Sequence, residues 1–352
     1  MRFGFDEDQL LLQKTLRDFL ASEFPVERAR ALWDTASGRS PELWKALAEL
    51  GVTGLLVPEA HEGMGMDEII GVLLHEEAGR AALAEPLVAT SVAVPMLVGL
   101  GSSELCERWL KPVAVGEAVL AVGHPVNPFV ADAHVAALLL LAHQDEIHAL
   151  PAADVALERQ PVNDPARRLF TVRWSPGDAT RVARGAQARE LLAAALDRGA
   201  LACAAQLLGA TDRLLELAVA YAQQREQFGQ PIGAFQAVKH HLANVKVALE
   251  YARPVVHRAA HSVARGDAWR AVHVSHAKIA AGEAAELAAR TALQVHGAIG
   301  YTWEQDLHVW MRRAWSLALA WGTSRFHRAR VADFVLAPDA EIGPGTTFRG
   351  GS

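Results

Sequence analysis

Apolar residues recur at helical spacing over most of the chain, and the spacing shortens to alternation only in its middle. Over residues 6–24, Leu10, Leu11, Leu16, Phe19 and Leu20 form one stripe, with Asp6 placed to cap the helix N-terminus. A second helix is predicted over 41–50, with Ser40 as cap and Pro41 at its first position. Stretches 67–79 and 88–110 complete an N-terminal helical region ending at Lys111-Pro112. Segments 119–122, 135–141, 146–150, 155–158 and 169–174 then read as short strands, separated by Pro, Gly, Asn and Asp. From Gln187 the helical period returns almost to Pro338, in four segments: 187–224, 234–265, 269–297 and 307–336. Gly266-Asp267 and His296-Gly297 supply breaks, and the pattern fits an antiparallel four-helix bundle. The predicted architecture is mainly α with a small β-domain. It comprises a helical domain (1–118), a small β-domain (119–186), the bundle (187–338) and a mobile tail (339–352).

Composition narrows the function classes. At 352 residues and 51% hydrophobic content, the chain can bury substantial cores. A net charge of -6 leaves no basic footprint for nucleic acid. Cys106 and Cys203 lie in apolar helical contexts and suggest neither a disulfide framework nor a metal site. No charged-then-apolar leader opens the chain, and apolar runs are broken by Gly, His or Pro before they reach membrane-spanning length. The expectation is a soluble, cytoplasmic protein that binds no membrane. His257 and His261 stand four apart on one predicted helix but lack the neighbouring Glu of a zinc HExxH helix, and His273 and His276 have the same standing. Nothing resembles a nucleophile elbow or a P-loop.

Stretch 221–243, YAQQREQFGQPIGAFQAVKHHLA, reads as the end of one helix, a loop with Gly229, Pro231 and Gly233, and the start of the next. It gathers the charged fork of Arg225, the aromatic face of Phe228 and the amide of Gln236 beside a helix N-terminus. That set suits a ligand carrying phosphate and a ring, and equally describes an ordinary helical hairpin with a surface arginine.

The string RxxFGxPIxxFQxxxxxLA resembles the flavin-contacting signature of the acyl-CoA dehydrogenase family. Downstream, residues 294–301 (QVHGAIGY) resemble the family's QxxGGxGY stretch, and residues 51–59 (GVTGLLVPE) its G-[LV]-x-G-[LI]-x-x-P-E turn. Gly63-Met64-Gly65-Met66 resembles its GGxG loop with one glycine replaced. The resemblance implies that Arg225, Phe228, Gln236, Gln294 and Gly297 reach across a subunit interface to the pyrophosphate and adenosine half of a neighbour's FAD.

Two departures stand out. Gly123-His124-Pro125 occupies the place of the T-E-P that opens the family's ring-binding motif, and no GSD follows; His124 reads as a loop histidine beside proline. The family's catalytic glutamate stands before a Gly-Thr after the GxGY stretch, where this chain has Trp321 ahead of Gly322-Thr323. Some members carry it instead on the first bundle helix, where this chain has Gly199. Neither side chain accepts a proton. Trp310, Ala314, Leu317 and Trp321 recur at 4-3-4 spacing, so Trp321 reads as a core or interface indole on one helical face. Asp197 lies two residues from Gly199 and is turned from it by about 200°. Glu304 and Asp306 are placed to cap the last helix, and Arg312, Arg313, Arg325, Arg328 and Arg330 form a basic C-terminal stretch suited to helix-end charge and partner salt bridges.

The chain thus resembles the smaller, non-catalytic subunit of heteromeric, α2β2 acyl-CoA dehydrogenases of bacterial steroid side-chain degradation. The resemblance implies one FAD shared at each subunit interface, a homologous larger partner, and an acyl-CoA substrate held mainly on that partner. Two other readings stay open: a self-sufficient homo-oligomeric flavoprotein with a relocated base, and a flavin-free scaffold.

Overall fold

The computed structural model describes residues 4–340 and residue 343. The expected mobile tail therefore falls almost entirely outside the described residues.

Helix α1 (Glu7–Glu23) opens on a capping box in which the Asp6 carboxylate accepts from Gln9 N and the Gln9 amide oxygen from Asp6 N. A short helix absent from the sequence reading, α2 (Val26–Ala31), follows Pro25; six charge-rich residues carry too little periodicity to announce it. Ser40 caps α3 (Pro41–Glu49) as expected, accepting from Leu43 N at 3.2 Å. Asp67 caps α4 (Glu68–Arg80). The single stretch read at 88–110 is two helices, α5 (Leu87–Gly99) and α6 (Ser103–Ala114), separated where Gly101 takes a φ of 70°. Pro112 does not end α6, because a proline this near the C-terminus removes only one backbone donor.

The middle of the chain forms two small sheets. One carries β1 (Leu120–Gly123), β3 (Leu138–His143), β4 (Glu146–Pro151) and β7 (Arg181–Arg184) in the order β1-β3-β4-β7, with only β1 and β3 parallel. The other is antiparallel, β2-β6-β5, from β2 (Val130–Ala131), β5 (Ala156–Gln160) and β6 (Leu169–Arg173). Strands β2 and β7 were not foreseen; one has two residues and the other, Arg-Val-Ala-Arg, shows no alternation.

Helix α7 (Gly185–Gln224) is the axis of the molecule, with most of its central third buried. It packs against α8 (Gln236–Ala264) and α9 (Arg270–His296) on one side and against α4 on the other. The α4–α7 crossing is backbone to backbone. A Cβ at Gly209 would overlap Glu76 O, and one at Gly79 would overlap Gln206 O, so only glycine allows this approach. By length and composition α7 could cross a membrane, which corrects the expectation that no apolar run is long enough. However, 78% of its most apolar window is buried inside the molecule, as in a core helix.

The fourth bundle segment is not continuous. It is α10 (Leu307–Leu319) and α11 (Ser324–Val335), parted by a turn in which Trp321 and Gly322 both have positive φ. Thr323 caps α11 by accepting from Phe326 N.

Candidate functional site

At one end of the bundle, α7 stops at Arg225, whose backbone turns to an extended conformation while its N–H still donates to Tyr221 O at 2.8 Å. The loop beyond is a tight hairpin of β8 (Glu226–Gln227) and β9 (Gln230–Pro231), pairing Glu226 with Pro231 and Gln227 with Gln230. Its two-residue turn, Phe228-Gly229, has φ values of 54° and 78°, the signature of a type I′ turn. Positive φ is costly for a bulky residue, yet it projects the Phe228 ring outward with 92% of the residue exposed, edge-on to Phe235. Gln236 is the first residue of α8 and is exposed. Among the described residues, the Arg225 guanidinium and the Gln236 and Gln294 amides make no hydrogen bond or ion pair.

The second stretch reaches the same end from α9. Gln294 lies exposed in its last turn, and Gly297 terminates it with φ 62° and ψ -141°, a conformation that glycine alone adopts readily. His296 stacks on Tyr221, with ring centroids 4.3 Å apart and planes at 21°. The two stretches are thereby joined side chain to side chain, by residues 75 positions apart in sequence.

Trp321 and Gly199, the positions that the resemblance matches to a base, meet deep in the molecule. Trp321 is buried, at 7% exposure, but it is not on the helical face that its spacing implied. Helix α10 ends before it, and a left-handed backbone turns the indole inward. The Trp321 backbone N–H donates to Asn127 Oδ1 at 2.8 Å, and its carbonyl accepts from His327 Nε2 at 2.9 Å. Buried Lys278 donates to the Leu317 and Ala318 carbonyls at 2.9 Å, and burial lowers its pKa to about 8. The indole rests on Gly199, where a Cβ would overlap its ring atoms Cδ2 and Cε2. His124 tilts against the other side, ring centroids 5.4 Å apart. Its Nε2 donates to Leu192 O and its Nδ1 accepts from Val126 N, and burial lowers its pKa. It is a neutral, internally satisfied loop histidine, as the sequence reading had it.

The cleft beside Trp321, between the N-terminal helices, the sheets and the bundle, has a volume of about 70 Å³. Small-molecule sites typically need roughly 300–1,000 Å³. Arginines crowd its walls. Arg313 donates through Nε to Asp164 at 2.7 Å and through Nη1 to Leu83 O; Arg39 pairs with Asp132; Arg167 donates to Ser316. Glu85, also on the wall, is pushed up to about 7 by burial.

Arg313 departs from the reading of a basic stretch for helix-end charge and partner salt bridges, since it is a buried charge tying α10 to the residues before β6. The signal was present: Arg313 continues the stripe Trp310, Ala314, Leu317 at i+3. Arg328 and Arg330 pair within the chain, with Glu283 and Asp197. Asp197 is buried with Arg330 and Arg270, away from the cleft. Asp306 sits at the N-cap of α10 without a capping bond, because its carboxylate accepts from Arg30 at 2.8 Å. Glu304 is exposed. His257 packs against the edge of the Phe5 ring, and His273 bonds Ser262 at 2.8 Å.

Comparison with known proteins decides the family. The acyl-CoA dehydrogenase N-terminal domain matches residues 6–117, and the acyl-CoA dehydrogenase C-terminal domain residues 189–336. Acyl-CoA dehydrogenase IpdE2 of Mycolicibacterium smegmatis is 33% identical over 321 residues, covering 91% of this chain and 96% of that protein. The chain belongs to the acyl-CoA dehydrogenase family. Acyl-CoA dehydrogenase structures superpose along nearly its whole length. The ChsE4-ChsE5 complex of Mycobacterium tuberculosis gives a TM-score of 0.83 at 23% identity, covering 96% of this chain and 99% of that one. A variant of the Tcur3481-Tcur3483 steroid ACAD gives 0.83 at 25% identity, covering 94% and 98%.

Acyl-CoA dehydrogenases are FAD-dependent, so the fit of FAD can be tested on this member. The exposed guanidinium, ring, amides and Gly297 backbone at the bundle end suit the anionic ADP half. The 70 Å³ cleft beside Trp321 is by itself smaller than a three-ring flavin, and a neighbouring cavity of about 270 Å³ shares its Asn127, Phe129, Arg167 and Ala320 walls.

Proposed function

We propose that this chain is the non-catalytic subunit of a heteromeric acyl-CoA dehydrogenase. It donates contacts to the ADP half of FAD, while a homologous, larger partner supplies the flavin-ring site and the catalytic base. The observation that carries this reading is the Trp321–Gly199 contact. Both positions at which the family places a base are filled by groups that cannot accept a proton. The open end of the bundle supports the other half of the reading. Arg225 is positioned to clamp the pyrophosphate, Phe228 to cover the adenosine, and Gln236, Gln294 and the Gly297 backbone to orient them.

When bound, FAD accepts the hydride equivalent removed in α,β-dehydrogenation of the acyl-CoA thioester. The proposed assembly is α2β2 with one FAD per heterodimer. By analogy with the steroid ACAD of the same fold, the substrate class is a steroid side-chain CoA thioester, held mainly on the partner.

The test is flavin absorbance and acyl-CoA turnover of the chain purified alone and co-purified with its partner. The expected result is no flavin and no turnover alone, and one FAD per heterodimer with turnover in the complex. A yellow, active lone chain would establish a self-sufficient enzyme with a relocated base, and a flavin-free complex would establish a scaffold.

A further inference from the structure

We infer that the Tyr221–His296 stack is a positioning device that holds the two cofactor-contacting stretches in register, so that Tyr221 and His296 govern FAD affinity without touching FAD. The inference rests on the proposed function.

The geometry places the stack at the junction of two helix ends. Tyr221 is in the last turn of α7 and its carbonyl accepts the Arg225 N–H, so Tyr221 anchors the point where the hairpin leaves the helix. His296 is the last residue of α9, directly before Gly297 and two beyond Gln294. Its Nδ1 lies 2.8 Å from Ala292 O, and a carbonyl only accepts, so the proton is on Nδ1 and the ring cannot turn freely. Burial lowers the imidazole pKa, which favours the neutral ring. An offset pair at 4.3 Å and 21° fixes the separation and relative rotation of the rings.

This matters because neither stretch by itself fixes its position relative to the other. The hairpin has two short strands and an outward-facing ring, and Gly297 introduces a backbone position with wide freedom. A clamp whose members must meet one pyrophosphate and one adenosine loses affinity when its halves move independently. The stack ties Arg225 to Gln294 and Gly297 through rings that lie behind the contact surface: Tyr221 is half-buried and His296 buried.

The experiment titrates FAD into the flavin-stripped complex of this chain with its partner. Tyr221→Leu and His296→Ala should each weaken FAD binding about three- to tenfold, the range of an aromatic pair. Tyr221→Phe, which keeps the ring, should stay within about twofold of wild type. The double variant Tyr221→Leu/His296→Ala should lose little more than the worse single, because one interaction is removed either way. The visible absorption envelope of the bound flavin should not change, since the ring belongs to the partner's site, and a purely structural defect would instead lower affinity in step with complex melting temperature.

Arg225→Ala serves as the reference. Wild-type affinity in Tyr221→Leu alongside clear loss in Arg225→Ala would overturn the positioning role alone. Wild-type affinity in both would overturn the proposed function with it. Fully additive losses in the double variant would also overturn the stack as the coupling element. Should Tyr221→Leu fail to assemble, His296→Ala and Tyr221→Phe decide by the same criteria.

Discussion

Trp321 and Gly199 occupy one place: the indole of the first lies where any side chain of the second would have to go. The two positions that the sequence resemblance matches to alternative base sites, far apart in sequence, thus meet in a single volume filled by the aromatic ring.

That contact makes Gly199 intolerant of substitution. An exposed helical glycine gains about 1 kcal/mol on replacement by alanine, but here the new methyl group overlaps a buried indole. Gly199→Ala should therefore destabilise the chain by about 1–3 kcal/mol. Trp321→Ala should cost about 3–5 kcal/mol. The double variant should cost clearly less than the sum, because removing the indole makes room for the methyl group. Denaturant unfolding measures all three, and a Gly199→Ala chain as stable as wild type would mean that the ring does not sit there.

Restoring a carboxylate should not restore catalysis. Trp321→Glu in the isolated chain is expected to show no acyl-CoA oxidation, since Gly123-His124-Pro125 replaces the ring-binding T-E-P as well as the base being absent. Turnover by that single variant would show the ring already seated in this subunit.

Arg225→Ala should weaken FAD retention by the complex by about 1.5–3 kcal/mol, roughly ten- to a hundredfold, through loss of a charge-assisted bond. Assembly should change little, because the exposed guanidinium buries no apolar surface in the free chain. Flavin content after dialysis, with gel filtration to confirm both chains, measures it. Full retention would reduce the hairpin to an ordinary connection.

How far the fold was legible depended on period. Long stripes such as Val245, Leu249, Ala252 and Val256 declared α8, and Asp6 and Ser40 declared their caps, whereas the 226–231 hairpin was read only as a loop. The two-residue strand β2 and the six-residue α2 carry too few residues for periodicity to register. The break before Trp321 escaped because a 4-3-4 pattern of buried residues continues across it. A turn with a left-handed tryptophan buries the ring as well as a helix would. Arg313 escaped for the opposite reason: its position on the stripe was overridden by its charge, and only the distant Asp164 makes burial tolerable.

The Arg313–Asp164 pair should behave as a buried ion pair. Asp164→Asn or Arg313→Met alone should cost about 3–5 kcal/mol by leaving one charge uncompensated. Replacing both with apolar residues should recover much of that loss. Thermal unfolding reads the difference, and a single-variant cost below about 1 kcal/mol would place the pair in contact with water.

Acid should loosen the Trp321 turn through His327. Burial lowers the His327 pKa to about 4, from an ordinary value near 6.5, with Lys278 and Arg330 adding to the shift and the bond to Trp321 O opposing it. The unfolded chain takes up a proton below pH 6.5 that the folded chain refuses until about pH 4. Stability from this group is therefore present above pH 6.5 and is lost as pH falls through that window, on the order of 3 kcal/mol. Glu76 and Glu85, both raised to about 7 by burial, act with the opposite sign, stabilising as pH falls from 7 towards 4.5. The diagnostic is hence a difference. His327→Gln should unfold with a shallower loss of stability between pH 6.5 and 4 than wild type, and parallel pH profiles would rule out His327 as the titrating group.

The Phe228-Gly229 turn also bears on how fast an assembly forms and how long it lasts. A flexible loop would surrender about 1–2 kcal/mol of backbone entropy per residue on docking, whereas this hairpin has already adopted its positive-φ geometry in the free chain. In the proposed heterodimer the ring is presented before encounter, so docking proceeds close to rigid-body. Variants that alter what the ring touches then change mainly the lifetime of the complex. Variants that relax the turn, such as Gly229→Ala at its φ of 78°, slow its formation as well.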